Sequence, residues 1–342
     1  MTPYRIGIIG CGRPWKSDGA TGFGMSHWHA EGYKASPDAE IVALADINLD
    51  NARAFQEKHG GETLYADYHE MLEKEGLDIV SVCTWPHLHA EMVIAAAQAG
   101  VKAVHSEKPM APTFGEAKRM VEVCEANGVQ LTFNHQRRFG PQFRAARDLL
   151  HTGAIGYLQR LEGTCPNLCD WGTHWFDMLF FYNDETPADW VIGQIDVRDG
   201  STVFGLPHEG QGLSYFHYTN DVFGLLITGH GAPPLSNKLI GTDGTIEVKN
   251  NREDPLRIWA KGDSEPRSIA VDTGRSDLTW VQDGVVDLVD ALKHGREPEL
   301  AGRRALRATE LIYGTYESSR RRARVDLPLD IEDSPLQSLI PN

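Results

Sequence analysis

Ile6-Gly7-Ile8-Ile9-Gly10-Cys11-Gly12 opens the chain, an apolar run that ends in Gly-x-Gly. Such a run begins a dinucleotide-binding βαβ unit, because a tight turn and close backbone approach to a pyrophosphate need residues without a Cβ. The third glycine of the usual pattern is displaced. Arg13-Pro14-Trp15-Lys16-Ser17-Asp18-Gly19-Ala20-Thr21 intervene, and glycine resumes at Gly22 and Gly24 before the helix-like residues 25–34. An interrupted glycine loop is a weak signal by itself. The insert, 13–23, reads either as a surface loop or, through Trp15 and Lys16, as a cover for cofactor or substrate.

Working outward, short apolar runs recur at 41–45, 79–82, 103–105 and 130–133. Between them, residues 49–59, 89–99 and 116–127 have helical periodicity and stop at Gly60, Gly100 and Gly128, the expected left-handed C-caps. Apolar strands separated by helices imply a parallel sheet covered on both faces. The expectation is an N-terminal Rossmann domain over residues 1–134. Asp46 closes the second strand where a ribose-binding acid belongs; the bland reading is a cap for the next helix. Ile47-Asn48-Leu49 supply no basic clamp for a 2′-phosphate, so NAD is favoured over NADP.

After Asn134 the texture changes. Residues 141–152 read as a helix. Alternating, β-rich stretches follow at 157–163, 190–197, 212–217, 223–228, 238–241, 245–249 and 256–260, with Thr242-Asp243-Gly244 as a hairpin turn. Helical stretches at 279–294 and 303–321 close the pattern. The expected fold class is therefore α/β, a Rossmann domain plus a C-terminal α+β domain (135–330) on one open, largely antiparallel sheet. Residues 331–342 read as a loosely ordered acidic tail.

Composition narrows the partners. Among 342 residues, 48 acidic side chains outnumber 33 basic ones, for a net charge of −15. That surface disfavours nucleic acid and anionic membrane and favours a small molecule or another protein. Five cysteines spread along the chain do not make a disulfide framework and point to a reducing compartment. Residues 1–5 run straight into a strand, leaving no room for a signal peptide, so a cytoplasmic location is expected.

Two sites carry chemistry. Val104-His105-Ser106-Glu107-Lys108-Pro109 puts a lysine at the carboxyl end of a buried strand, the edge where open α/β sheets bind ligands. Asp170-Trp171-Gly172-Thr173-His174 sets a carboxylate and an imidazole one helical turn apart. Lysine, aspartate and histidine together move a proton off a hydroxyl, and beside a dinucleotide that means hydride transfer. Cys165, Cys169 and His174 have part of a zinc spacing but lack a fourth ligand in order, so no metal is expected.

With these residues the chain resembles the glucose–fructose oxidoreductase / inositol dehydrogenase (Gfo/Idh/MocA) family over nearly its full length. The matching pieces include Gly10-Cys11-Gly12, His29-Ala30, Asp46, Thr84-Trp85-Pro86-His87-Leu88-His89, Glu107-Lys108-Pro109, Arg137-Arg138-Phe139, Gly172-Thr173-His174-Trp175-Phe176-Asp177 and Gly241-Thr242-Asp243-Gly244-Thr245. The insert after Gly12, and Trp85 in place of a smaller polar residue, depart from the family. The resemblance implies that Gly10, Gly12, Gly24, Asp46, Thr84, Pro86, His89, Glu107 and Lys108 serve the cofactor. It implies Lys108, Asp170 and His174 as the catalytic group, with Lys108 beside the nicotinamide and His174 as general base, since histidine titrates near working pH. Arg137, Trp171 and His217, with Trp175, are expected to line a sugar pocket; plain core packing or a surface ion pair is the alternative for these. Glu107 either braces Lys108 or is a simple ion pair, and His89 either faces the cofactor loop or caps a helix. Asp177 is expected to anchor its helix.

The implied function is an NAD(P)-dependent dehydrogenase, NAD preferred, acting on a secondary alcohol of a sugar, sugar derivative or cyclitol. A redox-cycling NAD-dependent glycosidase and a non-catalytic NAD-binding sensor are the alternatives. A homodimer or homotetramer formed through the open sheet is expected.

Overall fold

The computed structural model describes residues 2–198, 201–250, 253–274 and 276–340; Pro341 and Asn342, the end of the expected tail, lie outside the described residues. Helices and strands alternate at first: β1 (Tyr4–Ile9), α1 (Ser26–Ala35), β2 (Ala39–Ala45), α2 (Leu49–His59), β3 (Thr63–Tyr65), α3 (Tyr68–Lys74), β4 (Ile79–Val82), α4 (Pro86–Gln98), β5 (Ala103–Ser106), α5 (Phe114–Ala126) and β6 (Gln130–Phe133). Then come α6 (Pro141–His151), β7 (Leu158–Cys165), α7 (Trp171–Tyr182), β8 (Ala188–Asp196), β9 (Ser201–Val203), β10 (Leu206–His208), β11 (Gln211–Tyr218), β12 (Phe223–Gly229), β13 (Ser236–Gly241), β14 (Gly244–Lys249), β15 (Leu256–Ala260) and β16 (Arg267–Ser268). The chain closes with α8 (Asp277–His294), α9 (Gly302–Arg321), β17 (Val325–Asp326) and α10 (Pro335–Leu339). By compactness it divides into two units, Met1–Pro112 with Glu116–Gln136 and Ser276–Ala305, and Thr113–Gly115 with Arg137–Arg275 and Leu306–Asn342.

The first unit holds a six-stranded sheet in the order β3-β2-β1-β4-β5-β6, with every neighbouring pair parallel. β4 and β5 are buried at every position, as strands covered on both faces must be. Strand order reverses between β1 and β4, so the ligand crevice of this doubly wound sheet opens at their carboxyl ends. The sequence reading puts α8 in the second domain. In the structure the chain returns and lays α8 on α1. Val285, Leu288 and Val289 enter one core with Ile6, Ile8, Tyr33 and Phe55. Gly32 makes that approach possible, since a Cβ there would stand 2.6 Å from the Cβ of Val285.

The second unit is built on a nine-stranded sheet, β16-β15-β14-β13-β7-β12-β11-β8-β17, antiparallel except where β12 meets β7. Helices α7 and α9 cover one face, where Phe176 and Phe180 meet Phe216 and Tyr218 and Thr315 donates to Ser214. The pleat turns alternate residues to the other face. There Trp190 stacks on His217 and Tyr215 on Phe223, each with centroids 5.6 Å apart, while Ile192 and Leu213 stay exposed. The tail is more ordered than its composition suggests: α10 buries Pro335 and Leu336. No helix among the described residues is long and apolar enough to cross a membrane.

Candidate active site

In the first unit the crevice begins at the turn after β1. Gly10 has φ +90°, and a Cβ on it would come within 2.6 Å of the Cys83 carbonyl oxygen. An added Cβ on Gly12 would meet nothing within 4 Å, so the backbone there faces open space, as approach to a pyrophosphate requires. Gly24, φ +60°, closes the insert: a Cβ would lie 2.5 Å from the Arg13 carbonyl oxygen. At the end of β2, Asp46 accepts from the Cys11 amide through Oδ2 and from the Asn48 amide through Oδ1, both at 2.8 Å. It is not the cap of α2; Asn48 is, accepting from the Asp50 amide. A carboxylate has about four acceptor positions, so Asp46 retains capacity for hydroxyl donors.

The loops after β4 and β5 are stapled together from beneath. Trp85 is the N-cap of α4 and Pro86 its first residue, a position where the missing N–H costs nothing. His89 is fully buried, with Nδ1 2.9 Å from the Pro109 carbonyl and Nε2 3.1 Å from that of Thr84. Burial lowers its pKa against the pull of these carbonyls. It neither caps α4 nor reaches the crevice surface; it sets the spacing of the two loops. Glu107 is also buried. Its Oε1 accepts from His29 Nε2 at 2.9 Å and from Asn134 Nδ2 at 2.7 Å, and its Oε2 faces the Lys108 amide at 3.3 Å.

Desolvation raises the Glu107 pKa, yet the His29 hydrogen bond and charge, Lys108 and Asn134 outweigh it and hold the carboxyl below its ordinary value. Beyond His29 the network runs to Ser81, 3.1 Å from Nδ1, and on to the Tyr33 hydroxyl at 2.8 Å. The Cys83 thiol, raised by burial and then by the charge of Glu107, lies 3.3 Å from the same nitrogen. The bonds from His29 and Asn134 hold the Glu107 carboxylate in one place. It underlies the strand end that presents half-buried Lys108.

In the second unit, Asp170 and His174 lie one turn apart at the amino end of α7, both buried. Asp170 is not the effective cap. Asn167 Oδ1 accepts from the Asp170 and Trp171 amides at 2.8 and 3.1 Å, and the Asn167 carbonyl accepts from Gly172. Arg137 is buried, its guanidinium over the rings of Trp171 and Trp175 at 5.2 and 4.9 Å, so the surface ion pair is not its setting. Trp171 is half-buried; Trp175 is core and donates to the Ser236 carbonyl. The Cys165 thiol donates to the Asn167 carbonyl at 3.3 Å. Asp177 grips Arg138 with both carboxylate oxygens at 2.7 and 2.8 Å, an anchor deep under α7.

His217 departs from expectation. β11 carries it on the face opposite α7, hydrogen-bonded to Asp189 at 2.8 Å and stacked on Trp190. The period-two pleat separates it from Asp170 and His174; its neighbour Phe216 is the residue that faces the helix.

Sequence reasoning attached no role to His29, Asn134, Asn167 or Glu209. His29 and Asn134 share the Glu107 carboxylate. Glu209 is fully buried, accepts from the Leu168 amide, the Thr228 hydroxyl and the Tyr316 hydroxyl, and so braces the loop leading into α7. Burial raises its pKa.

Residues 4–135 match the family model described as the Gfo/Idh/MocA oxidoreductase family, NAD-binding Rossmann fold. D-apiose dehydrogenase of Paraburkholderia graminis is 29% identical, with 95% of this chain and 90% of that protein aligned. Myo-inositol 2-dehydrogenase of Thermotoga maritima is 36% identical over 44% of this chain and 42% of its own length. A levoglucosan dehydrogenase structure in complex with NADH and levoglucosan superposes with a TM-score of 0.79 at 20% identity, covering 96% of this chain and all (100%) of that one, a likeness of fold. The dinucleotide turn, Asp46 and the Glu-Lys-Pro strand end described above all lie within the residues, 4–135, that match the NAD-binding Rossmann domain of the Gfo/Idh/MocA oxidoreductase family.

Proposed function

We propose that this protein is an NAD-dependent dehydrogenase that interconverts a secondary alcohol and a ketone on a sugar, sugar derivative or cyclitol. The observation that carries the reading is the carboxyl edge of the first unit's sheet. An open glycine turn, an acid at the end of β2 and a braced lysine at the end of β5 all stand on one rim. The sugar and cyclitol class comes from the names of the apiose, inositol and levoglucosan dehydrogenases.

Gly10, Gly12 and Gly24 hold the pyrophosphate turn, and Asp46 accepts from the adenosine ribose hydroxyls. Its charge opposes a 2′-phosphate, so NAD is the preferred cofactor and NADP the poorer one. NAD supplies the hydride acceptor. Thr84 and Pro86 border the crevice, His89 fixes their loop, and Glu107 fixes Lys108. The Lys108 ammonium stabilises the negative charge that grows on the substrate oxygen. His174 takes the hydroxyl proton, with Asp170 orienting it or binding a neighbouring hydroxyl. Arg137 and Trp171 serve the substrate side; His217 is withdrawn from that group on its position across the sheet. The partly exposed apolar face with Ile192, Leu213, Tyr215 and Trp259 suits burial against a second copy, so a homodimer or homotetramer is proposed.

The test is reduced-nicotinamide absorbance with NAD or NADP across a panel of sugars, cyclitols and glycosides. Reduction of NAD on one polyol class supports the reading. Aglycone release without net reduction overturns it for a redox-cycling glycosidase, and NAD binding without turnover on any substrate overturns it for a sensor.

A further inference from the structure

The insert leaves an open mechanical question at the cofactor turn. In an uninterrupted Gly-x-Gly-x-x-Gly the turn is short and helix packing fixes it. Here residues 13–23 stand between Gly12 and Gly24, and a longer loop holds its ends with less entropic advantage. The structure closes this gap at two points. The Gly24 backbone lies against Arg13, where a Cβ would come within 2.5 Å of the carbonyl oxygen, and the His27 amide donates to the Gly24 carbonyl at 3.1 Å. From the same residue the His27 ring reaches back, Nε2 standing 2.9 Å from the Gly12 carbonyl oxygen.

That ring is held in turn. His27 Nδ1 lies 2.7 Å from Nε2 of His59, the last residue of α2, and both imidazoles are buried. Phe55 wedges beside them, 4.8 Å from the His27 ring and 4.6 Å from the His59 ring. The proton positions follow from the acceptor. A carbonyl only accepts, so His27 carries its hydrogen on Nε2, its Nδ1 accepts, and His59 donates from Nε2. The remaining His59 nitrogen lies 3.2 Å from Glu31 Oε1; that carboxylate is 40% exposed and also pairs with Lys34. With its hydrogen on Nε2, His59 has no N–H to offer that carboxylate, so the pair is a contact and not a hydrogen bond. Lys58 on α2 is the other charge acting on both rings.

We propose that His27 and His59 are positioning residues for the cofactor: His59 orients the His27 ring, whose Nε2–H fixes the Gly12 carbonyl and keeps the interrupted turn in the shape that binds the dinucleotide. The proposal rests on the NAD-binding reading of this turn. It assigns neither residue a part in the chemical step.

The experiment is calorimetric titration of the full-length protein with NAD at pH 7.5, with thermal unfolding of each variant in its absence. His27→Phe and His59→Phe keep the ring volume and delete the donors. Each is expected to weaken NAD about tenfold, the effect of about one hydrogen bond, and the double variant to be no weaker than either single one. His59→Gln places an amide N–H where imidazole Nε2–H stands and is expected to restore binding to within about twofold of the parent. Parent-like binding in both phenylalanine variants overturns the proposal, as does equal weakening in His59→Phe and His59→Gln. Absence of NAD binding by the parent protein overturns the cofactor reading itself. A phenylalanine variant that fails to fold is replaced by His59→Asn, whose shorter amide cannot reach His27 and is expected to bind like His59→Phe.

Discussion

Glu107→Gln removes one charge from the centre of the first unit while keeping nearly every atom in place. The carboxylate accepts two bonds at Oε1, from His29 and Asn134, and faces the Lys108 amide with Oε2. A glutamine oxygen still serves His29 and Asn134, but as a neutral acceptor, which lowers each bond from about 1.5–3 kcal/mol to about 1 kcal/mol. Its amide nitrogen then opposes the Lys108 N–H, two donors facing each other in a buried site, at roughly 1 kcal/mol or more. Stability is therefore expected to drop by about 2–5 kcal/mol, read as a lower urea midpoint at unchanged slope. The pH dependence adds an independent check. The folded pKa of Glu107 lies below the unfolded one, so its contribution is complete above the unfolded value of about 4.3 and fades as pH falls through the folded value. Part of the parent's acid destabilisation disappears in Glu107→Gln. A loss below about 1 kcal/mol together with an unchanged acid limb refutes the reasoning, because the carboxylate would then not be the hub of the network.

Lys108→Ala is expected to lower kcat by at least about 1000-fold while the NAD dissociation constant moves less than about threefold, since the ammonium acts on charge that grows in the transition state; stopped-flow turnover with titrated NAD checks both. Asp46→Asn should weaken NAD about tenfold and narrow the NAD-over-NADP preference, through loss of a charged acceptor and of repulsion toward a 2′-phosphate, as parallel cofactor titrations would reveal. Arg138→Met strands Asp177, whose carboxylate is almost fully buried and bonded to two guanidinium nitrogens. A loss of about 3–5 kcal/mol is expected on thermal or urea unfolding, with NAD affinity unaffected.

The parallel sheet was legible because five of its six strands are apolar runs between periodic helices closed by glycine. β3, with only Thr63, Leu64 and Tyr65, is too short to show any period, and α3 behind it announces itself only through the Asp67 cap. The longer strands of the second unit were legible from period-two alternation, whereas β9, β10, β16 and β17, two or three residues each, are too short to show it. What alternation does not reveal is which face a helix will cover; hence His217 was grouped with His174, although its ring lies across the sheet. Asp46 and Lys108 could be placed from strand ends alone. His29, Asn134 and Glu209 could not, since what makes them matter is a bond to a residue 27 to 107 positions away. The alliance of α8 with α1 is invisible for a related reason: Gly32 signals only that something approaches closely, not what.

That alliance has a consequence for how the molecule is made. The sheet, its turn and its acid are all present by residue 136, yet the face of α1 beside Gly32 waits for Val285, Leu288 and Val289. During synthesis at about 5–20 residues per second, this nascent domain spends several seconds or more with an apolar flank uncovered. A chain stopped before α8 thus carries its dinucleotide turn on a domain whose core is still open, and the second unit is translated inside an unclosed first one.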